Sequence, residues 1–427
     1  MLERLNAILW GPFMMAALCG AGLYFTIRTG WLSLKLKTIF GATFGTLFVK
    51  REKGKISPFG AMATALASCL GTGNIAGVAA ALAAGGPGAL FWMWVAAFLS
   101  MATKYAEVTL AVHYRVKRGG IWRGGPMYYM ERGLGLKPLA IGFSAICLVA
   151  TLGTGNFTQI GAMSEAVSEA FGIPPPLVGF AAMLLIAPAL MGGIRGVARV
   201  AEKLVPAASL LYISGAVILI AVNFREVIPA FEAIVSGAFG LKPALGGAAG
   251  FGLARAMRFG VARGVFSNEA GMGTSPIAHS AADTDSPAKQ GLWGAAEVFL
   301  DTLVMCTLTG LAILVSGAGG AGAAFATVFG AAGYKFVAVS LSLFAVASVL
   351  GWSCYGEACA VYLFGRRRAA LLLYRAVYLA AVPLGAVLGM ERVWAFADLM
   401  NGLMLVPNLA AVAALGGVVV KLTRDTR

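Results

Sequence analysis

SPFGAMATALASCLGTGNIAGVAAALAAG, residues 57 to 85, is the stretch on which the fold turns. It is apolar almost from end to end, but Gly71, Thr72, Gly73 and Asn74 stand together at its centre. Glycine in a helix interior costs about 1 kcal/mol relative to alanine, and asparagine somewhat less. The stretch is also longer than the roughly 20 residues with which an α-helix crosses the hydrocarbon core of a bilayer. Length and weak centre together predict two half-helices joined by an unwound stretch. Unwound backbone survives at membrane depth only where protein or a water-filled cavity satisfies its N–H and C=O groups.

The surrounding sequence supports a membrane reading. Of 427 residues, 59% are hydrophobic and only 12% charged, and the mean hydropathy is +0.83; soluble domains carry about 25% charged residues. Apolar runs between charged or Pro/Gly-rich breaks give an all-α polytopic membrane protein of eleven spans. They lie near 5 to 27, 57 to 86, 88 to 113, 138 to 166, 175 to 193, 204 to 222, 247 to 281, 292 to 316, 335 to 363, 370 to 389 and 395 to 420. Leu5 to Ile27 is too long for a typical signal-peptide core and is followed by more spans, so it reads as a retained helix. The six cysteines fall in apolar segments without metal-ligand spacing and read as reduced packing residues.

A net charge of +15 would point a soluble protein toward nucleic acid, but here most of the 33 Lys and Arg residues stand in alternate loops. By the positive-inside rule this places the N-terminus outside and the C-terminus in the cytoplasm. Gly30 to Lys55, with Lys35, Lys37 and a basic end, reads as an amphipathic helix on the cytoplasmic interface. Ile228 to Gly240 reads as a short external helix or lid.

A second weak centre, FSNEAGMGT at 266 to 274, lies within span 7. Setting span 1 aside leaves two sets of five spans, each opening on a broken helix and entering from opposite faces. That is an inverted five-plus-five repeat, the organisation of LeuT-type secondary transporters, whose interrupted segments mark the binding site. The domains are then 1–56 for the N-terminal helix and interfacial segment, 57–222 for the first repeat and 247–421 for the second. Neither break carries the pattern of a phosphate-binding loop, GxxxxGK[ST] after a strand. LGTGN itself recurs at 152 to 156 in span 4, which has ordinary length and no matching break in the other half. Its glycines are expected to let an unbroken helix pack close to span 2, with Asn156 bonding across that contact.

Four motifs in order, GTGNIAGVAAALAAGGPGALFWMW (71 to 94), the loop GGPMYYM (124 to 130), FSNEAGMGTSPIAHSAA (266 to 282) and GWSCYGEA (351 to 358), resemble the alanine or glycine:cation symporter family. The resemblance covers essentially the whole chain. It implies a sodium-coupled symporter of small neutral amino acids, alanine or glycine, in a prokaryotic inner membrane, and no enzyme.

An amino-acid zwitterion needs donors for its carboxylate, acceptors for its ammonium and a pocket for its side chain. The first N–H groups of a half-helix carry about half a positive charge, and a C-terminal end offers carbonyls to a cation. Gly71, Thr72 and Gly73 permit close backbone approach. The carboxylate is therefore expected on the amides around Gly73 and Asn74, with the Asn74 side chain adding a bond. Phe266 and the carbonyls before Ala270 would line the pocket, Gly271 would leave room, and Trp352 would restrict the side chain to hydrogen, methyl or little more. The family resemblance adds Gln159 as a substrate contact.

Sodium prefers hard oxygen ligands, by analogy with other hard cations. The LeuT-type arrangement implies backbone oxygens near Ser68 and Gly71, with Ser348 and the carbonyl of Ala345. Ser348 is one turn before Trp352, so ion and substrate ligands share a face.

Charged residues inside spans are functional suspects. Glu269, Glu297 or Asp301 could pair with Arg263, either as a buried structural pair or as coupling charges, and Lys104 with Glu107 reads as a local i, i+3 pair. His113 and His279 give no metal or catalytic geometry. A proton-coupled transporter, with Glu269 or Asp301 carrying the proton, is the competing reading. A channel would need a repeated pore-lining element and an enzyme a reactive constellation, and the sequence offers neither.

Overall fold

A computed structural model describes residues 2–45, 55–118, 120–240, 248–365 and 367–425. In chain order these form α1 (Leu2–Leu9), α2 (Pro12–Arg28), α3 (Leu36–Phe44), α4 (Pro58–Cys69), α5 (Gly73–Gly85) and α6 (Gly88–His113). A two-stranded antiparallel hairpin, β1 (Val116–Arg118) and β2 (Ile121–Arg123), precedes α7 (Pro126–Leu134), α8 (Lys137–Phe171), α9 (Pro175–Met191), α10 (Gly193–Val222) and α11 (Val227–Phe239). The rest are α12 (Ala248–Asn268), α13 (Ser275–His279), α14 (Pro287–Ser316), α15 (Ala321–Phe329), α16 (Ala331–Phe364), α17 (Arg368–Gly385), α18 (Met390–Ala414) and α19 (Gly416–Arg424).

Among the described residues seven helices are long and apolar enough to cross a bilayer, or eight spans when α4 and α5 count as one bent span; α2 and α9 are shorter apolar helices. The molecule is sorted radially. α6, α14 and α16 are largely buried, whereas α10 and α17 turn Leu210, Ile218, Leu373 and Val377 outward. Such apolar outer faces suit lipid, where a water-soluble globule would present charge.

Both breaks are present. α4 ends at Cys69, Leu70 turns to an extended ψ of 93°, and α5 departs at 54°. α12 ends at Asn268, and the chain passes through left-handed Glu269, Gly271 and Gly273 (φ 55°, 83° and 80°) before α13 begins. Glycine takes such values without strain, which the GMG run supplies at two of the three positions, while Glu269 adopts one as a non-glycine residue.

The second LGTGN stays within one continuous helix, α8, but its coils widen to a π-turn at Gly153–Phe157. Its contacts differ from the expectation. A Cβ on Gly155 would lie 2.3 Å from the Trp352 Cβ, and one on Gly153 would lie 2.8 Å from the Phe396 ring. The Asn156 side chain donates to the Tyr378 carbonyl at 2.9 Å. The notch therefore receives α16, α17 and α18, and span 2 is reached by Gln159 instead.

Other elements depart from the sequence reading. Span 1 divides at Trp10–Gly11, because Pro12 begins a new helix as its first residue, where a missing N–H costs nothing. Span 6 begins eleven residues early, at Gly193, so Arg195, Arg199 and Lys203 ride on helical turns rather than in a loop. GGPMYYM is mostly helix, since Pro126 nucleates α7. Ile228 to Gly240, expected outside, falls on helix α11, with Gly237 pressed on Gly88 and the Ala238 carbonyl accepting from Trp92 Nε1. Of the segment expected at the interface, Leu32–Leu34 forms a 3-10 turn and Leu36–Phe44 forms α3. Residues 46–54 of that segment, and residue 247 at the expected start of the second repeat, lie outside the described residues.

Candidate functional site

The first break gathers the expected residues from four elements. The Gly71 amide donates to Asn74 Oδ1 and the Thr72 amide to Gln159 Oε1, both at 3.0 Å. Two orphan donors of the unwound stretch are thus satisfied by neutral carboxamide oxygens. The Asn74 amide is already spent on the Gly71 carbonyl (3.3 Å), which removes it from the carboxylate donors expected there. The Asn74 side chain also turns its NH2 away, donating to Asp301 Oδ1 (2.7 Å) and Ser267 Oγ (3.0 Å).

Phe266 borders the same break: a Cβ on Gly73 would lie 3.5 Å from its ring. Trp352 is fully buried on α16, with its ring 5.5 Å from that of Tyr355. Two polar atoms, Thr72 Oγ1 and Trp352 Nε1, are buried without a hydrogen-bond partner among the described residues. Buried polar groups are nearly always paired, so an unpaired one calls for an explanation.

The second break is satisfied differently. Glu107 of α6 accepts from the Gly271 and Gly273 amides, each at 3.0 Å, and Asn408 of α18 donates to the Gly271 carbonyl at 2.7 Å. Tyr129 donates to Asn408, and Thr274 donates to Glu269 at 2.6 Å. The nearest neighbours of a Gly271 Cβ would be Leu405, Leu409 and Leu18, so this glycine faces α2 and α18 rather than the Gly73 side. Ala270 is buried, with its amide held by Asn268 Oδ1. A carboxylate on two amides is a charge-assisted cap, roughly twice as strong as a neutral one. The second break is thus fixed from within, and the first is held by exchangeable groups.

Two of the expected sodium ligands meet. Ser348 Oγ donates to the Ser68 carbonyl at 2.8 Å, and a Cβ on Gly351 would lie 2.8 Å from the Ser68 amide, so α16 lies directly on the end of α4. The Ser68 hydroxyl meets Tyr355, one helical turn further along α16 than Gly351. Ala345 is buried on the same helix, and the Gly71 carbonyl accepts from Asn74.

The charges pair otherwise than expected. Arg263 reaches Asp398 of α18 (3.5 Å), not Glu269, Glu297 or Asp301, and lies 5.6 Å and 5.1 Å from the ring centres of Phe266 and Trp394. Those two rings are 5.0 Å apart. Lys104 leaves Glu107 for Glu297 (3.4 Å) and Ser275 (2.7 Å). Asp301 takes donors from Asn74, Ser267 (2.9 Å) and Thr302 (2.7 Å).

Sequence reasoning missed Ser267, Trp394, Asp398, Asn408 and Tyr355. Ser267 sat in the quoted motif beside Phe266, and AFADLMNGLMLVPN at 395 to 408 put an unexplained carboxylate and two asparagines into an apolar span. Cavities adjoin both half-helices, and one of about 350 Å³ lies against Met62, Leu66 and Leu70 on the α4 side. Another of about 220 Å³ runs from Ile75, Ala76 and Ala79 past Glu165 and Glu169 to Ala338 and Leu341.

Known proteins share this sequence and this fold. The model of the sodium:alanine symporter family matches residues 1–427. An uncharacterized transporter of Haemophilus influenzae is 43% identical, over 99% of this chain and 95% of its own. The sodium/alanine symporter AgcS of Methanococcus maripaludis is 40% identical, over 99% of this chain and 96% of its own. The solved structure of MhsT in complex with L-phenylalanine superposes with a TM-score of 0.61 over 86% of this chain and 90% of that one, at 16% identity, which shows the fold.

Proposed function

The chain belongs to the sodium:alanine symporter family, and we propose that it imports a small neutral amino acid, alanine or glycine, together with sodium across a prokaryotic inner membrane. The observation that carries this reading is the first break: two helix-start amides capped only by neutral oxygens, beside the unpaired Thr72 hydroxyl. A substrate carboxylate competes for those amides because a charged acceptor outbids a carboxamide. Gln159 then turns from Thr72 to the bound molecule, and Thr72, Gly73, Asn74 and Phe266 surround it. Ala270 and Gly271 act indirectly, by shaping the turn behind Phe266. The Trp352 ring, backed by the Gly155 notch, bounds the pocket and excludes larger side chains.

Sodium takes the Ser68 carbonyl and Ser348 hydroxyl, with the carbonyls of Gly71 and Ala345 near them. The hydroxyl that now donates to Ser68 rotates to offer its lone pair to the ion. Because the ion would tie α16 to the end of α4, it orders the break that receives the carboxylate. Arg263, Glu269 and Asp301 serve as structural charges about the breaks.

For the architecture we propose eleven spans: the eight above, α2, α9, and α12 continued by α13. Spans 57–222 and 247–421 form the inverted repeat, with 1–56 outside it, the N-terminus outside and the C-terminus in the cytoplasm. The decisive experiment is uptake of labelled alanine into proteoliposomes under an imposed sodium gradient. Saturable uptake that collapses when choline replaces sodium at constant pH is expected. Undiminished uptake in choline would favour the proton-coupled reading, and no uptake of any small amino acid by well-folded protein would overturn transport as proposed.

A further inference from the structure

The start of α4 is held by a buried polar cluster that the substrate site does not use. His279 of α13 is fully buried, with Nε2 2.7 Å from Glu297 Oε2 and Nδ1 2.8 Å from Gln290 Nε2. The same Gln290 nitrogen donates to the carbonyl of Pro58, the first residue of α4, at 3.3 Å. A carbonyl can only accept, so the Gln290 amide must turn its NH2 to this corner. His279 Nδ1 is then an acceptor and bears no proton, and the single ring proton lies on Nε2, donated to Glu297. Gln290 Oε1 meanwhile is buried without a partner among the described residues.

A proton on Nδ1 reverses this logic. The new N–H needs an acceptor, and the orphaned Gln290 oxygen supplies one if the amide rotates. Rotation sets that oxygen against the Pro58 carbonyl, where neither group can donate. The groups around His279 are Glu297 from α14, Lys104 from α6 and the Cys69 thiol from α4, the last two 3.4 Å and 3.1 Å from Glu297 Oε1, with Ser275 on its own helix. Glu107 and Glu269 complete the charges acting on Lys104. A charged His279 therefore adds one positive charge to a fully buried cluster whose hydrogen bonds are built around a neutral ring.

The same segment closes the entry to α4. Asp283 donates its amide to the Ile56 carbonyl at 2.7 Å, and its carboxylate meets Lys55 at 3.1 Å. We propose that His279 is a proton-binding site that latches the first half-helix: the neutral ring holds Pro58 through Gln290, and protonation releases it and favours the state open on this face. The proposal rests on the alternating-access reading above, in which α4 must part from the α13–α14 corner. The latch would thus respond to acidification on the face where α4 begins.

The chain has only two histidines, so His113→Asn leaves one imidazole to observe. Its ring-nitrogen resonances in the full-length protein should report a neutral ring protonated on Nε2 at pH 8 and an imidazolium at pH 5.5. A ring that is neutral throughout, or charged throughout, overturns the proposal. In parallel, a cysteine at Ala281, buried beside Ile56, is labelled with a maleimide at both pH values, each rate normalised to denatured protein. One lost hydrogen bond at this latch corresponds to a rise of about fivefold in the normalised rate at pH 5.5. His279→Asn and Gln290→Leu should abolish the rise; an equal rise in either overturns the latch. Labelling needs no substrate, so a pH response without sodium-driven uptake would count against the transport reading alone. Intact uptake without a pH response would count against the latch alone.

Discussion

At the scale of single residues, geometry ranks the two glycines of the second LGTGN. A methyl group at Gly155 meets the Trp352 Cβ, which no rotamer change can move, whereas one at Gly153 meets the edge of the Phe396 ring, which can turn. Overpacking of the first kind costs about 1–3 kcal/mol. Gly155→Ala should therefore lower the thermal midpoint in detergent more than Gly153→Ala, and should weaken alanine binding because the indole shifts. Equal effects in both assays would remove Trp352 from the pocket wall.

Ser348→Ala deletes one hard oxygen while leaving the Ser68 carbonyl in place. A rise of roughly ten- to hundredfold in the sodium needed for half-maximal uptake at saturating alanine is expected, from the roughly 1.5–3 kcal/mol of a bond to a charged group. An unchanged sodium requirement would exclude Ser348 as a ligand. The sequence brought Ser68 and Ser348 together because both sat at recognisable offsets, one before a break and one a turn before Trp352. It misplaced the role of Gly271 because a left-handed turn can face either way, and only the packing of Leu18, Leu405 and Leu409 decides which.

At the scale of elements, both breaks were legible from length and glycine content, since an over-long apolar segment with a polar centre has few other ways to cross a bilayer. The π-turn in α8 was not, because the same five letters break one helix and merely widen another. What differs is the neighbour: α16 fills the α8 notch, while the first copy faces side chains that cap its amides. Charge pairing failed for a related reason. Spacing along one helix made Lys104 and Glu107 partners, yet each found a stronger one on another element, Glu297 for the lysine and two unwound amides for the glutamate. Removing one partner of a fully buried pair costs about 3–5 kcal/mol, while replacing both can be nearly neutral. Lys104→Met should thus be strongly destabilised in thermal unfolding, and Lys104→Met with Glu297→Gln should recover much of the loss. A double variant no better than the single would mean that Lys104 serves other partners, Ser275 first among them.

At the scale of the whole molecule, polar contacts cross the face where α4 begins and tie Lys55 and Ile56 to the segment after α13. Besides the His279 latch, two contacts hold this face, and their strengths differ. Lys55 and Asp283 form a half-exposed ion pair (44% and 42% accessible), a type worth about 0.2–1 kcal/mol. Arg115 does more: it donates to the carbonyls of Ser280 (3.1 Å), Ala282 (2.6 Å) and Thr284 (2.5 Å) and lies 4.2 Å from the Trp122 ring centre on the β-hairpin. Burial lowers the pKa of its guanidinium, with Asp283 and Asp285 opposing. Three carbonyl contacts from one charged group should outweigh one solvated pair. Arg115→Ala is therefore expected to shift the population toward the state open on this face more than Lys55→Ala does. The shift can be read with a cysteine at Ala79, in the cavity beyond the first break, using an impermeant maleimide on vesicles of known orientation. In the parent protein this site should label from the outside of right-side-out vesicles, and labelling only in inverted ones would reverse the proposed topology. Arg115→Ala should slow that labelling several-fold and Lys55→Ala by less than twofold, and the opposite order would mean that the ion pair, rather than the arginine clamp, holds the face closed.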